Sequence, residues 1–303
     1  VKLYHDENVP DDASDEHREV YLKLPGNEDF ETMLDKCGGK LINDHILHFP
    51  VNGTKTVILI AGGRGALEIR KDWDFPAGHL VPSSLVPHFQ EQGYNVTLVH
   101  SGDYPLPWLI NVLFSKIPGL VLNDRFQLPK VWMEKNATFN LKRALHAVHV
   151  ISKELKRAVD MSDVPVWLMG QCSSNYIMSR YYHHFQDTSP IEGLIFSAVN
   201  SPPTQLGKYA KNYYDRCNFF RRDQRVTVPL HIIHHELDIS DYTDIPTCQL
   251  ILDQFEFVQS SLNIVSGGYN EGHPKMNFGH HGFRGIEKEI AHLSIKLMNS
   301  IDN

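Results

Sequence analysis

The stretch Val166–Asn175, VWLMGQCSSN, decides the fold. An apolar run meets a glycine, and small polar residues then lead into a segment with helical character. That is the pattern of a buried strand turning sharply into a helix. The turn reads Gly170-Gln171-Cys172-Ser173-Ser174, a Gly-x-Cys-x-Ser sequence where a nucleophilic serine would stand in Gly-x-Ser-x-Gly. Taken alone, Cys172 has two readings. It is either a nucleophile or a small buried residue in a structural turn.

The surrounding sequence repeats the strand-and-helix theme. Thr56–Ile60 (TVILI) is a continuous apolar, β-branched run, which marks a strand buried on both faces. Further strands are expected at Glu19–Leu24, His45–Val51, Tyr94–His100, Val164–Met169, Leu194–Val199, Pro229–His235 and Leu262–Val265. Asn52-Gly53 is a turn signal. Helices are expected at Pro82–Gln92, with Gly93 as its cap, and at Asn136–Val159. Another runs from the opening turn through His184, and an amphipathic helix closes the chain at Glu287–Met298. Alternation of this kind implies an α/β fold, a mostly parallel sheet with helices on both faces. One domain over residues 1–303 is expected, with a polar arm at 1–15 and lid or cap insertions at 104–135 and 201–228. The first insertion contains PLPWLINVLFSKIPGLVL, whose three prolines and one glycine suit a lid over an apolar pocket better than a membrane span.

Composition narrows the function. The chain has 303 residues, 42% hydrophobic and 21% charged, as in a soluble globular protein. Its net charge of −7 disfavours a nucleic-acid partner. The four cysteines, Cys37, Cys172, Cys217 and Cys248, form no CxxC pair and no zinc spacing. The 18 histidines include three adjacent pairs, but neighbours on a strand face opposite ways, and no HExxH is present. Neither a metal nor a cofactor is expected. The chain opens on Val, so a removed leader is compatible with it, and a periplasmic, secreted or cytoplasmic location stays open.

Three strand ends carry the residues of nucleophilic catalysis, in the order nucleophile, acid, histidine. After Cys172 comes Asp238, past the strand in PLHIIHHELD, with Asp241 and Asp244 as rivals. A carboxylate there can fix a histidine tautomer. The third is His281 in Gly279-His-His-Gly-Phe283, with His280 and His273 as rivals for a general base. An oxyanion needs two donors. The Ser173 amide is one candidate, and Gly63 or Arg64, in the loop Gly62-Gly63-Arg64-Gly65, is the other. A phosphate loop is the rival for that glycine loop, but GxxxxGK[ST] and GxGxxG are both missing.

Together these residues resemble the α/β-hydrolase superfamily, and within it bacterial hydrolases of unassigned substrate. That group has a GGxG loop, a strand ending in Asp, a GxSxG elbow, an HHxxD segment and a terminal HGFxGxE. The counterparts are Gly62–Gly65, Asp103, Gly170–Ser174, His234–Asp238 and His281–Glu287. The resemblance covers Thr56 to the C-terminus and favours His281 over His280. It implies about eight strands and a Cys172-His281-Asp238 triad, with Asp103 and Glu287 as structural supports. This chain departs from the pattern at Cys172, where the group has serine, and at Ser174, where it has glycine. Thiol nucleophiles do occur on the fold, as in the dienelactone hydrolases. The expected activity is that of an acyl hydrolase, esterase- or thioesterase-like, or an acyltransferase, acting on a small acyl substrate with an apolar part. The competing expectation is a catalytically impaired scaffold that binds a ligand or partner.

Overall fold

The computed structural model describes residues 37–43, 45–60, 82–99, 152–172, 174–185, 190–199, 226–238, 245–254, 258–269 and 278–300. The expected strand at 19–24, the arm at 1–15 and the insertion at 104–135 lie outside them, as does 201–225 of the second insertion.

Eight strands form one sheet: β1 (Lys40–Asn43), β2 (Ile46–Phe49), β3 (Lys55–Ile60), β4 (Tyr94–Val99), β5 (Val166–Gln171), β6 (Ile191–Ser197), β7 (Leu230–His235) and β8 (Ser260–Val265). Their order is β1-β2-β4-β3-β5-β6-β7-β8. β2 runs antiparallel to β1 and β4, and all pairings from β4 through β8 are parallel. The helices are α1 (Pro82–Glu91), α2 (152–160), α3 (Ser174–Phe185), α4 (Ile245–Gln254), α5 (Phe278–His281) and α6 (Glu287–Asn299).

Period-two alternation assigns the two sheet faces. Val57, Leu59, Trp167, Met169, Ile195 and Ile233 pack on α1 and α6 through Leu85, Phe89, Ile290 and Met298. Their neighbours Ile58, Ile60, Leu168, Leu194, Phe196 and Ile232 pack on α2, α3 and α4 through Leu155, Val159, Met178, Tyr182, Cys248 and Ile251. Helices therefore cover both faces, which is why the central strands read as unbroken apolar runs.

Where the structure differs from the sequence expectation, the cause is local. β1 was not expected. It is an edge strand with three exposed residues and a register shift between Leu41 and Asn43, so no apolar alternation announces it. The turn at Asn52-Gly53 is present, with Asn52 at φ +54°, but it does not close a hairpin. β4 lies between the two strands it joins. β6 begins earlier than expected and stops at Ser197, because Ala198 takes φ +43° and turns the chain out of the strand. α4 was also missed. Its second residue is Pro246, which a first helical turn tolerates.

One glycine has a packing reason that can be tested. A Cβ on Gly193 would lie 2.3 Å from the Trp167 ring, and that ring is fully buried beneath it. Gly193→Ala is expected to destabilise the protein by about 1–3 kcal/mol through overpacking. A urea midpoint equal to that of the wild type would refute this.

Candidate functional site

The strand order reverses at β3. The chain passes from β3 to β4 on one side, and β5 is then laid on the other. Such a reversal opens a crevice at the carboxyl ends of the two central strands. Ile60 and Gly170 are partners at that level, so the turn after β5 stands at the crevice.

Cys172 occupies this turn with φ +53°, a left-handed conformation that costs a residue with a Cβ. Neighbouring groups hold it there. Its N–H donates to the Ser197 carbonyl at 2.9 Å, and Asn175 Nδ2 donates to the same oxygen at 3.0 Å. Ser197 Oγ in turn donates to the Gly170 carbonyl at 2.8 Å. Gly170 must lack a side chain, since a Cβ there would lie 2.8 Å from Asn175 Oδ1 and 3.0 Å from Ser174 Oγ. Ser174, where a glycine would be usual, is fully buried. Its Oγ accepts the Gln171 N–H at 2.7 Å. The same hydroxyl lies 2.8 Å from the Gln171 carbonyl and 2.9 Å from the Ile60 carbonyl, with one proton to share between them. The extra hydroxyl therefore ties the first residue of α3 to the ends of β3 and β5.

Asp238 follows β7, and its N–H donates to the His235 carbonyl at 3.1 Å. His281 ends α5, which follows β8 in the chain. Across 43 residues of sequence, His281 Nδ1 meets Asp238 Oδ2 at 2.7 Å, with both side chains buried. A carboxylate accepts, so Nδ1 donates and Nε2 is left for the sulfur side. Cys172 lies close enough to act on the ring electrostatically. Burial alone would hold the imidazolium down. The charges of Cys172 and Asp238, with the hydrogen bond to Asp238, outweigh it and carry the His281 pKa from 6.5 up to about 10.

The two histidine pairs divide their work. His280 stacks on His235 with ring centroids 4.4 Å apart. His235 is itself pinned, its Nδ1 accepting the Leu237 N–H at 3.0 Å and its Nε2 donating to the Gly267 carbonyl at 2.8 Å. Burial first, and then the neighbouring His235, push the His280 pKa down. The HGFRGIE segment supplies the frame for His281. Phe283 (φ +54°) and Gly285 (φ +81°) are both left-handed, and a Cβ on Gly285 would lie 2.5 Å from the Tyr269 ring. Glu287 accepts the Gly285 N–H at 2.9 Å, and burial raises its pKa.

A pH dependence follows from His281. Its folded pKa is raised, so the folded state holds a proton that the unfolded state releases above pH 6.5. The stabilisation is complete below that value and is lost as pH rises through about 10. In NMR titrations of histidine-labelled protein, the resonance missing from His281→Gln is expected to titrate near pH 10. A midpoint at 6.5 would contradict the ion-pair environment.

The structure thus brings Cys172, His281 and Asp238 together. Gly63, Arg64, Ser173, Asp103, Asp241, Asp244 and His273 lie outside the described residues. Among the described residues, no group of three His, Cys, Asp or Glu side chains is placed to hold a metal ion. No described helix is long and apolar enough to cross a membrane. Sequence reading missed Gln171, Asn175 and Ser197 as site-shaping residues. For Gln171 and Ser197 the signal was a polar side chain at the carboxyl end of an otherwise apolar strand, while Asn175 lies in the first turn of α3.

A reversed strand order, a left-handed turn after the central strand, an acid after β7 and a histidine before α6 define the scaffold. The fold is that of an α/β-hydrolase. Three solved structures are similar to the chain over most of their length. One belongs to the metagenome-derived lipolytic enzymes LipS and LipT, at 12% identity and TM-score 0.49, covering 86% of this chain and 99% of that one. Another is alpha/beta hydrolase domain-containing protein 10 from mouse, at 10% identity and TM-score 0.49, covering 87% and 98%. The third is a soluble variant of the monoglyceride lipase of Saccharomyces cerevisiae, at 11% identity and TM-score 0.49, covering 88% and 95%. No protein-family model matches the chain, and no curated protein does. The assignment of fold rests on the chain's own sheet order and turn geometry.

Proposed function

We propose that the chain is an acyl hydrolase or acyltransferase in which Cys172 is the nucleophile, His281 the general base and Asp238 the group that orients it. The observation that carries this reading is the buried 2.7 Å His281–Asp238 hydrogen bond beside a cysteine held at φ +53°. A structural cysteine needs neither the strained backbone nor a charged partner.

In the proposed reaction the proton of Cys172 already rests on His281, in keeping with the raised pKa of that ring, and the sulfur attacks the acyl carbon of an ester or thioester. The tetrahedral oxyanion is held by the Ser173 amide and by an amide at Gly63 or Arg64. The intermediate expels its alcohol or thiol, which takes the proton back from His281. Water or another acceptor then attacks the thioester, giving its proton to the now neutral His281, and the sulfur leaves as the thiolate of the starting ion pair. The apolar run PLPWLINVLFSKIPGLVL favours an acyl group with an apolar chain. The segments 104–135 and 201–228 are the proposed lid and cap of a single catalytic domain.

The test is a series of p-nitrophenyl esters from acetyl to long-chain acyl, together with a thiol-directed acylating probe mapped by mass spectrometry. Turnover that rises with chain length and a label on Cys172 are expected. Labelling of Cys172 no faster than that of a simple thiol, with no ester consumed, would sink the reading and leave a binding scaffold.

A further inference from the structure

Gln171 precedes the nucleophile position, and its side chain is almost wholly buried, at 2% exposure. Its Nε2 donates to the main-chain carbonyl of His281 at 3.1 Å, across 110 residues of sequence. That carbonyl ends the short helix α5, where carbonyls have no partner within the helix. Because the partner is an acceptor, the amide must present its nitrogen to it, and the orientation is fixed by chemistry. The Gln171 Oε1 atom is then buried with no hydrogen-bond partner among the described residues. A methionine or leucine would fill similar space without an orphaned acceptor, so packing alone does not account for an amide here.

We propose that Gln171 is a positioning residue that fixes the main chain of His281 against the end of β5. His281 is then held at two points. Its ring is fixed through Nδ1 by Asp238, and its backbone by Gln171. With both fixed, Nε2 has one direction left, toward the sulfur. The residue that precedes Cys172 in the chain thereby sets the placement of its base. The sense of this role rests on the nucleophile reading above, but the contact can be tested without it.

The experiment compares wild type with Gln171→Met, which keeps the length of the side chain and removes both polar atoms, and with Gln171→Leu as a second apolar variant. Three quantities are read: the thermal midpoint, the rate of Cys172 alkylation by iodoacetamide, and the titration of the His281 ring. The midpoint is expected to stay near that of the wild type, since the unpaired Oε1 is gone while the His281 carbonyl loses its donor. Alkylation is expected to slow by about 10- to 100-fold, the usual cost of a base displaced by an ångström. The His281 titration is expected to move down toward the ordinary imidazole range as its contact with sulfur loosens. Variants that match the wild type in both alkylation and titration would overturn the role of Gln171 and leave the nucleophile reading standing. If wild-type Cys172 reacts like a simple thiol, the nucleophile reading falls. The His281 titration then decides the Gln171 role by itself: a downward move supports it and an unchanged midpoint ends it.

Discussion

Cys172→Ala is expected to lower ester turnover by about 10³-fold or more, the scale of losing an attacking group in a triad enzyme. The variant should fold. Alanine is small, Cys172 is only 7% exposed, and its turn is held by the main chain and by Ser197, none of which uses the sulfur. Residual hydrolysis would come from substrate binding and amide donors acting on water. A second signal should accompany the loss. Burial opposes the His281 charge, and of the influences that raise its pKa to about 10, Cys172 is the largest. In the alanine variant the His281 midpoint should therefore fall while Asp238 still supports it. Cys172→Ser is the complementary case, with a hydroxyl at the same left-handed position. Hydrolysis by the serine variant would point to descent from a serine enzyme. Unchanged ester turnover in Cys172→Ala would remove Cys172 from the chemistry altogether.

How much of this could be read from residues alone differs by element. TVILI, Val164–Met169 and Pro229–His235 announced buried parallel strands, because helices cover both faces and leave no polar alternation. β1 gave no comparable signal. An edge strand with exposed Lys40 and Leu41 is made by pairing with β2, which is not a property of its own sequence. The order of strands is hidden in the same way. Asn52-Gly53 marks a turn, yet nothing in it says that β4 will enter between β2 and β3.

At the site, residue types and chain order named Cys172, Asp238 and His281, while the rivals needed geometry. His280 and His281 are adjacent and chemically identical, and one stacks on His235 while the other reaches Asp238. From the sequence, Ser174 is only a departure from the glycine of the resembled pattern. Its hydroxyl bonds backbone groups of Gln171 and Ile60, a contact that exists only once β3 and β5 are neighbours. Gln171 was illegible for the same reason, since its partner lies 110 residues away.

Asp238→Asn separates an orienting carboxylate from a merely buried one. The change keeps the shape and removes the charge. An amide can also offer N–H to His281 Nδ1, which would leave the proton on Nε2 and deny the sulfur its base. A fall in kcat of about 10⁴-fold is the scale for that wrong tautomer. Stability should change in a pH-dependent way whose sign is fixed. In the wild type the raised His281 pKa gives a stabilisation that is complete below pH 6.5 and gone above about 10. Removing the carboxylate from a buried pair costs about 3–5 kcal/mol if the ring must stay charged. The variant can escape that cost only by losing the proton, which is hardest at low pH. Its deficit in urea unfolding should therefore be largest near pH 6 and shrink as pH approaches 10, where the wild type also loses its pair. A deficit of equal size at both ends would mean that Asp238 supports only the loop after β7. A deficit that closes with pH, together with a collapse of kcat, would tie that carboxylate to the charge on His281.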